Sequence, residues 1–165
     1  MKRLWAPWRM AYITGIDGPK DTGCIFCVKP KQRRDEANRI LLRGKKAFVM
    51  MNIFPYNNGH LMIAPYRHVG DLGKLRDAEL LEMMTLAQAC VKAMAASMRP
   101  DGYNLGFNLG RTAGAGIADH LHLHLVPRWN GDTNFMPVLG GTKVISEALE
   151  DTAAKLRKHL TKERR

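Results

Sequence analysis

The chain has 165 residues, 45% hydrophobic and 25% charged, which is the balance of a soluble globular protein long enough to bury one core. No apolar run reaches the length of a membrane span, and the best one, "AFVMMNIF", is short and contains Asn52. The 26 basic and 15 acidic side chains leave a formal charge of +11, which points to an anionic partner without separating a nucleotide from a nucleic acid. The start "MKRLWAPWRM" is basic but carries no apolar stretch of the secretory kind. Three cysteines, an odd number, fit a reducing cytoplasm better than a disulfide framework.

Residues 1–38 read as irregular, punctuated by Pro7, Pro19 and Pro30 and by Gly15, Gly18 and Gly23. Within them "CIFC" places Cys24 and Cys27 as a C-x-x-C, which alone is a redox pair, half a zinc site or a coincidence. A thioredoxin-like motif needs a helix after the pair, and Pro30 with its basic run argues against one. A zinc site needs two more ligands, and with no second C-x-x-C these would be histidines. "RILLRG" and "KAFVMMNIF" then read as strands separated by Gly44 and two lysines. The Asn-Gly of "YNNG" signals a turn into a third strand, "HLMIAPY". From Asp77, a plausible N-cap, Leu80, Met83, Met84, Ala87, Val91, Met94 and Met98 recur at helical spacing up to Pro100, with Cys90 on or near that stripe. "YNLGFNLG" is a fourth strand, "RTAGAGIAD" a glycine-rich loop, and "HLHLHLV" a fifth strand. Ser146 is placed to cap a last helix carrying Ile145, Leu149, Leu156 and Leu160. The expectation is a single α+β domain over 1–165, with its core in 39–165 and with one long and one C-terminal helix.

The fifth strand carries the chemistry. Side chains alternate across a strand, so His120, His122 and His124 share one face and Leu121, Leu123 and Leu125 the other. A wet or hydrogen-bonded sheet face would account for one such histidine, but three in alternation ask for more. At a rise of ~3.3 Å per residue, His120 and His124 are roughly 13 Å apart, too far to share one metal easily. A nucleophilic reading remains: a neutral imidazole attacks phosphorus while neighbouring imidazoles and backbone N–H groups hold the charged oxygens. The small residues of "GRTAGAG" just before the strand suit close approach of a phosphate to the backbone.

"HLHLHLV" resembles the His-x-His-x-His-x-x motif of the histidine triad (HIT) superfamily, with apolar residues at the x positions. "NIFPYNNGHLMIAPYRH" is similar to the hairpin that leads into that family's central strand. "FNLGRTAGAGIADHLHLHLVPRWNGDTNF", "RLWAPWRMAYI" and "GGTKVI" resemble its bacterial branch acting on diadenosine tetraphosphate. The resemblance implies a HIT-like fold, an antiparallel sheet of about five strands, joined across a homodimer. It implies a nucleotidyl-transferring enzyme that forms a nucleotidyl-histidine intermediate and releases ADP by phosphorolysis. Hydrolysis to AMP and cleavage of phosphoramidates are the alternatives, and a non-catalytic nucleotide- or RNA-binding module is a weaker one. Nucleic acid and membrane partners are not expected.

Carried over residue by residue, His122 is the nucleophile, His124 contacts the phosphates, and His60 supports the triad. Asn52 contacts the ribose, and Asn108 with Gly114, Ala115, Gly116 and Ile117 forms the phosphate-binding segment. Phe48, Met50 and Ile53 are candidates for the base pocket or plain core. Some bacterial relatives hold zinc on positions that fall here on Cys24, Cys27, His68 and His120, so His120 serves both structure and site; Mg²⁺ can accompany the substrate. The chain departs from many triad proteins in having no glutamine or hydroxyl side chain between Gly114 and Asp119, so phosphate binding there would rest on amides. Asp119 would orient a histidine or cap the loop. Arg128 and Trp129 would touch ligand or pack on the surface, and Trp5 and Trp8 would anchor an N-terminal arm.

Overall fold

Short β-branched and apolar runs separated by turn residues build one antiparallel sheet, seen in a computed structural model that describes residues 23–132 and 144–162. β1 (Ile40–Arg43) and β2 (Ala47–Met51) form the first hairpin. β2 continues through the Asn57–Gly59 turn into β3 (Leu61–Pro65). The turn closes with the His60 N–H donating to the Asn57 carbonyl, and Gly59 takes φ +77°, which a side chain would resist. β4 (Gly102–Phe107) and β5 (Leu123–Arg128) complete the sheet in the order β1-β2-β3-β5-β4. Register places Met62 opposite His124 and Ile63 opposite Leu123.

The two faces of the sheet are covered differently. α2 (Asp77–Ser97) and α3 (Leu149–Lys162) pack on the face that carries Val49, Met51, Leu61, Ile63, Leu121, Leu123 and Leu125. The opposite face buries Phe48, Met50, Met62 and Ala64 under α1 (Ile25–Lys31), whose Phe26 is fully enclosed. The histidines belong to this second, smaller side. Glu82 of α2 ties the layers together by accepting from the N–H groups of Lys45, Lys46 and Ala47 in the first hairpin. No helix of the described residues is long and apolar enough to cross a membrane.

Several local expectations need correction. Residues 25–31, read as irregular, are helical; Pro30 falls near the end of α1, where its missing N–H removes one bond of a short element. Helix α2 starts at Asp77 rather than being capped by it, and the Glu79 carboxylate reaches back to the Arg76 N–H. Its buried stripe is Met83, Leu86, Ala87, Cys90, Ala93 and Met94, whereas Met84 is 48% exposed. Apolar residues occur on both faces of this helix, so spacing alone could not choose between neighbouring stripes. Cys90 is core, as expected, and burial pushes its thiol up to about 12. In α3, Leu156 and Leu160 are buried with Ala153, but the helix begins after Ser146, at Leu149. The carboxylate that reaches its first turn is that of Glu147, which accepts from the Thr152 hydroxyl.

The fifth strand also starts later than expected. Its ladder begins at Leu123, so only His124 lies within it. The physical cause is Pro65 at the facing end of β3: it has no N–H to offer, and its carbonyl is taken by the His120 ring. The chain there bonds instead through the Leu121 N–H to the Val69 carbonyl. The alternation of faces still holds, because Leu121 joins the helix-side core and the His120 and His122 rings both lie against Phe26. Trp5, Trp8 and the segment 133–143 lie outside the described residues.

Candidate active site and metal centre

His122 is held from both sides. Its ring packs on Phe26 with centroids 4.7 Å apart, and its Nδ1 lies 2.9 Å from the His120 carbonyl. A carbonyl only accepts, so Nδ1 carries the hydrogen and the lone pair of the neutral ring sits on Nε2. Burial lowers the basicity of His122 below the usual histidine range, which keeps that lone pair unprotonated near neutral pH. Nε2 makes no hydrogen bond among the described residues.

A second chain of bonds sets His124. The Tyr56 backbone N–H donates to His60 Nδ1 at 3.0 Å, and the Asn52 amide approaches the same atom at 3.3 Å. Asn52 is oriented for this because its Oδ1 accepts from the Phe54 N–H. A backbone N–H cannot exchange roles, so His60 Nδ1 is the acceptor and its Nε2 bears the hydrogen. That Nε2–H donates to His124 Nδ1 at 2.8 Å, which leaves the hydrogen of His124 on Nε2. His124 therefore offers a donor beside the His122 ring, 4.7 Å away between centroids. Burial first, and His122 second, push His124 down to about 4, so it is neutral as well.

The loop before the triad is only partly free. The N–H groups of Gly114 and Ala115 bond the carbonyls of Arg111 and Gly110. Gly116 and Ile117 make no backbone hydrogen bond among the described residues, and with Ala118, Asp119, Arg111 and Cys24 they border an open cleft of about 460 Å³. Asn108 reaches across to the triad with its Nδ2 3.4 Å from His124 Nε2. Asp119 is exposed and bonds no histidine among the described residues. Gly70, which sequence reading passed over, is required here: a side chain on it would meet the Ala118 carbonyl at 2.8 Å and the Asp119 backbone at 2.9 Å. Phe48 and Met50 are fully buried core, while Ile53 is 38% exposed. Arg128 is engaged by the Asp132 carboxylate and the Asn104 amide oxygen, a packing role.

Four side chains meet on the far side of His122. Cys24 Sγ lies 3.3 Å and Cys27 Sγ 3.5 Å from His120 Nδ1; His68 Nδ1 lies 3.3 Å from Cys27 Sγ and 3.2 Å from His120 Nδ1. All four donor atoms fall within 4.8 Å of one another. These four separations are close to those of a tetrahedral site, since zinc–sulfur and zinc–nitrogen bonds of ~2.3 and ~2.0 Å imply ligand separations of roughly 3.3–3.8 Å. His120 Nε2–H is spent on the Pro65 carbonyl at 2.9 Å, so its Nδ1 lone pair faces the cluster, the arrangement that orients a metal-binding imidazole. Both cysteines are free thiols, and burial with the neighbouring Cys24 raises Cys27, so a bound cation would favour its thiolate. Arg67, next to His68, is clamped by two bonds to the buried Glu79 carboxylate, which it holds down at about 2.

A sheet of this order, a histidine triad running into β5 and a glycine-rich loop before it define a histidine triad protein, and the HIT domain family matches residues 33–131. The chain belongs to the HIT family. An AP-4-A phosphorylase of Mycobacterium tuberculosis is 42% identical over 158 residues, covering 92% of this chain and 80% of that protein. An adenosine 5'-monophosphoramidase of Saccharomyces cerevisiae is 32% identical over 123 residues, 74% of this chain and 73% of that protein. A zinc-bound histidine triad family protein from Mycobacterium smegmatis shares the fold with a TM-score of 0.70 at 25% identity, covering 87% of this chain and 96% of that one. The expected family and the five-stranded antiparallel α+β fold are thus borne out.

Proposed function

We propose that this protein is a nucleotidyl-transferring enzyme that phosphorolyses diadenosine tetraphosphate to ADP and ATP. The observation that carries the reading is the His122 ring, whose Nδ1–H is held by the His120 carbonyl so that Nε2 is a free, unprotonated nucleophile. Nε2 attacks the α-phosphorus, the bond from that phosphorus to the bridging oxygen breaks, and ATP departs with the electron pair. An oxygen of inorganic phosphate then attacks the nucleotidyl-histidine, the N–P bond breaks, and ADP leaves. His124 Nε2–H and the amides of Gly116 and Ile117 receive charged oxygens, and Asn108 positions the Gly114 end of that loop beside them. His60, with the Asn52 amide beside its Nδ1, holds the hydrogen of His124 in place, and Asn52 is the residue we assign to the ribose. The 42% identity to a protein named as an AP-4-A phosphorylase supports this substrate over others.

Zinc fits the Cys24, Cys27, His68 and His120 donors, and it would supply a cross-link rather than chemistry, fastening α1 to the sheet. Free thiols at those positions suit a cytoplasmic setting. A homodimer joined along the sheet agrees with β4 being an edge strand with Leu105 exposed.

The test is incubation with diadenosine tetraphosphate, with and without inorganic phosphate, followed by chromatographic separation. ADP with ATP formed only when phosphate is present is the expected result. AMP with ATP in both arms would make the enzyme a hydrolase. His122→Ala is expected to lower turnover at least ~10³-fold while leaving AMP binding measurable. A variant with intact turnover would remove His122 from the reaction.

A further inference from the structure

The hydroxyl of Tyr56 has a place in the site that no motif announced. Its ring lies nearly parallel to that of His124 at 5.4 Å and 4.5 Å from that of His60, and 45% of the residue remains exposed. The Asn108 amide nitrogen stands 3.2 Å from the Tyr56 oxygen, 3.5 Å from the Gly114 carbonyl oxygen and 3.4 Å from His124 Nε2. The Gly114 carbonyl decides which end of the amide is which, because an oxygen turned toward it would be repelled. Nδ2 has two hydrogens, and Gly114 and Tyr56 take both. It therefore has none for His124 Nε2, which agrees with the independent result that this nitrogen bears its own hydrogen.

Two donors are left over. The Tyr56 oxygen accepts from Asn108, so its O–H has no acceptor among the described residues, and the same is true of His124 Nε2–H. Both flank one amide nitrogen, beside the His122 ring. We propose that the Tyr56 hydroxyl is a substrate-binding group that donates, together with His124 Nε2–H, to a non-bridging oxygen of the phosphate attacked by His122. The proposal rests on the nucleotidyl-transfer reading above and adds a group to it. It accounts for why the chain can do without a hydroxyl side chain between Gly114 and Asp119: a phenol arriving from the β2–β3 turn supplies a donor beside His124 and the Asn108 amide. Two neutral donors suit a phosphate oxygen, whose lone pairs accept more than one hydrogen bond.

Tyr56→Phe removes one oxygen and keeps both the ring contacts and the backbone N–H that sets His60. The measurements are calorimetric titration with AMP and steady-state turnover of diadenosine tetraphosphate, with thermal unfolding of both proteins. The expected result is a Kd for AMP and a KM for the dinucleotide each raised about tenfold or more, with an unchanged unfolding midpoint. Wild-type values of both constants in Tyr56→Phe would overturn the proposal and leave the nucleotidyl-transfer reading intact. Absent turnover by the wild type would count against that reading, while weaker AMP binding by Tyr56→Phe would still support the phosphate role. No AMP binding by the wild type would overturn both.

Discussion

The hydrogen on His124 is settled by an atom of another residue's main chain, the Tyr56 N–H, acting through His60. This gives the site a pH dependence whose sign can be worked out. His124, at about 4, and His122, also lowered, take up protons less readily folded than unfolded, where a histidine titrates near ~6.5. On acidification the unfolded chain binds protons first, so their contribution to stability is complete above ~6.5 and is lost as pH falls toward 4. Urea unfolding at pH 7.5 and pH 5 is expected to show a lower midpoint at pH 5, with a smaller drop in His124→Gln. A midpoint that rises on acidification would contradict this assignment of the two rings. The triad itself was legible from sequence because period-two spacing is a local property. Tyr56 was not, because its role depends on a turn bringing it across to Asn108.

Two elements are secured by single devices. Helix α1 has seven residues, too few to persist alone, and it is held by Phe26 on the histidine rings and by the four metal-capable donors. Removing the metal by chelation, or Cys27→Ser, is expected to lower the unfolding midpoint by roughly 5–10 °C, the shift for a loss of about 2–3 kcal/mol in a chain of this size. Metal analysis of the purified protein should find about one zinc per chain; protein lacking zinc with both thiols reduced would rule the centre out. The first hairpin depends on Glu82, whose carboxylate serves three successive N–H groups. Glu82→Ala is expected to cost about 1–2 kcal/mol by denaturant titration, since these amides are near solvent and can be rehydrated. Sequence reading found the hairpin from Gly44 and its lysines but not the acid that closes it, which sits 35 residues or more downstream on another element.

Across the whole molecule, the charge of +11 favours a polyanionic substrate at long range. Diadenosine tetraphosphate turnover is expected to show KM rising several-fold between low and physiological salt while kcat changes little, as screening weakens encounter. A KM indifferent to salt would confine recognition to short-range hydrogen bonds. The topology sets the division of labour among the histidines. β5 lies between β3 and β4, so one end of the triad segment reaches the β3 terminus with His68 and α1, and the other reaches His60 and Asn108.

The sequence by itself determined the approximate strands, the two larger helices and the shared face of the three histidines, because alternation and turn residues are written along the chain. Cys24, Cys27, His68 and His120 are singled out as a set by the family resemblance, since the C-x-x-C alone names only two of them. It placed Phe48 and Met50 near the site without saying whether they line it or fill the core. Tertiary structure decided the rest. Pro65, at the end of a neighbouring strand, determines where β5 begins; Phe26 packs behind His122 because two cysteines anchor its helix; and Gly70 leaves room for the backbone that precedes the triad. The protonated nitrogen of each ring follows from its partner, a carbonyl for His122 and His120 and a chain of donors for His60 and His124. A hydrogen bond between residues dozens of positions apart has no local signature, and the tautomers of this site are made of such bonds.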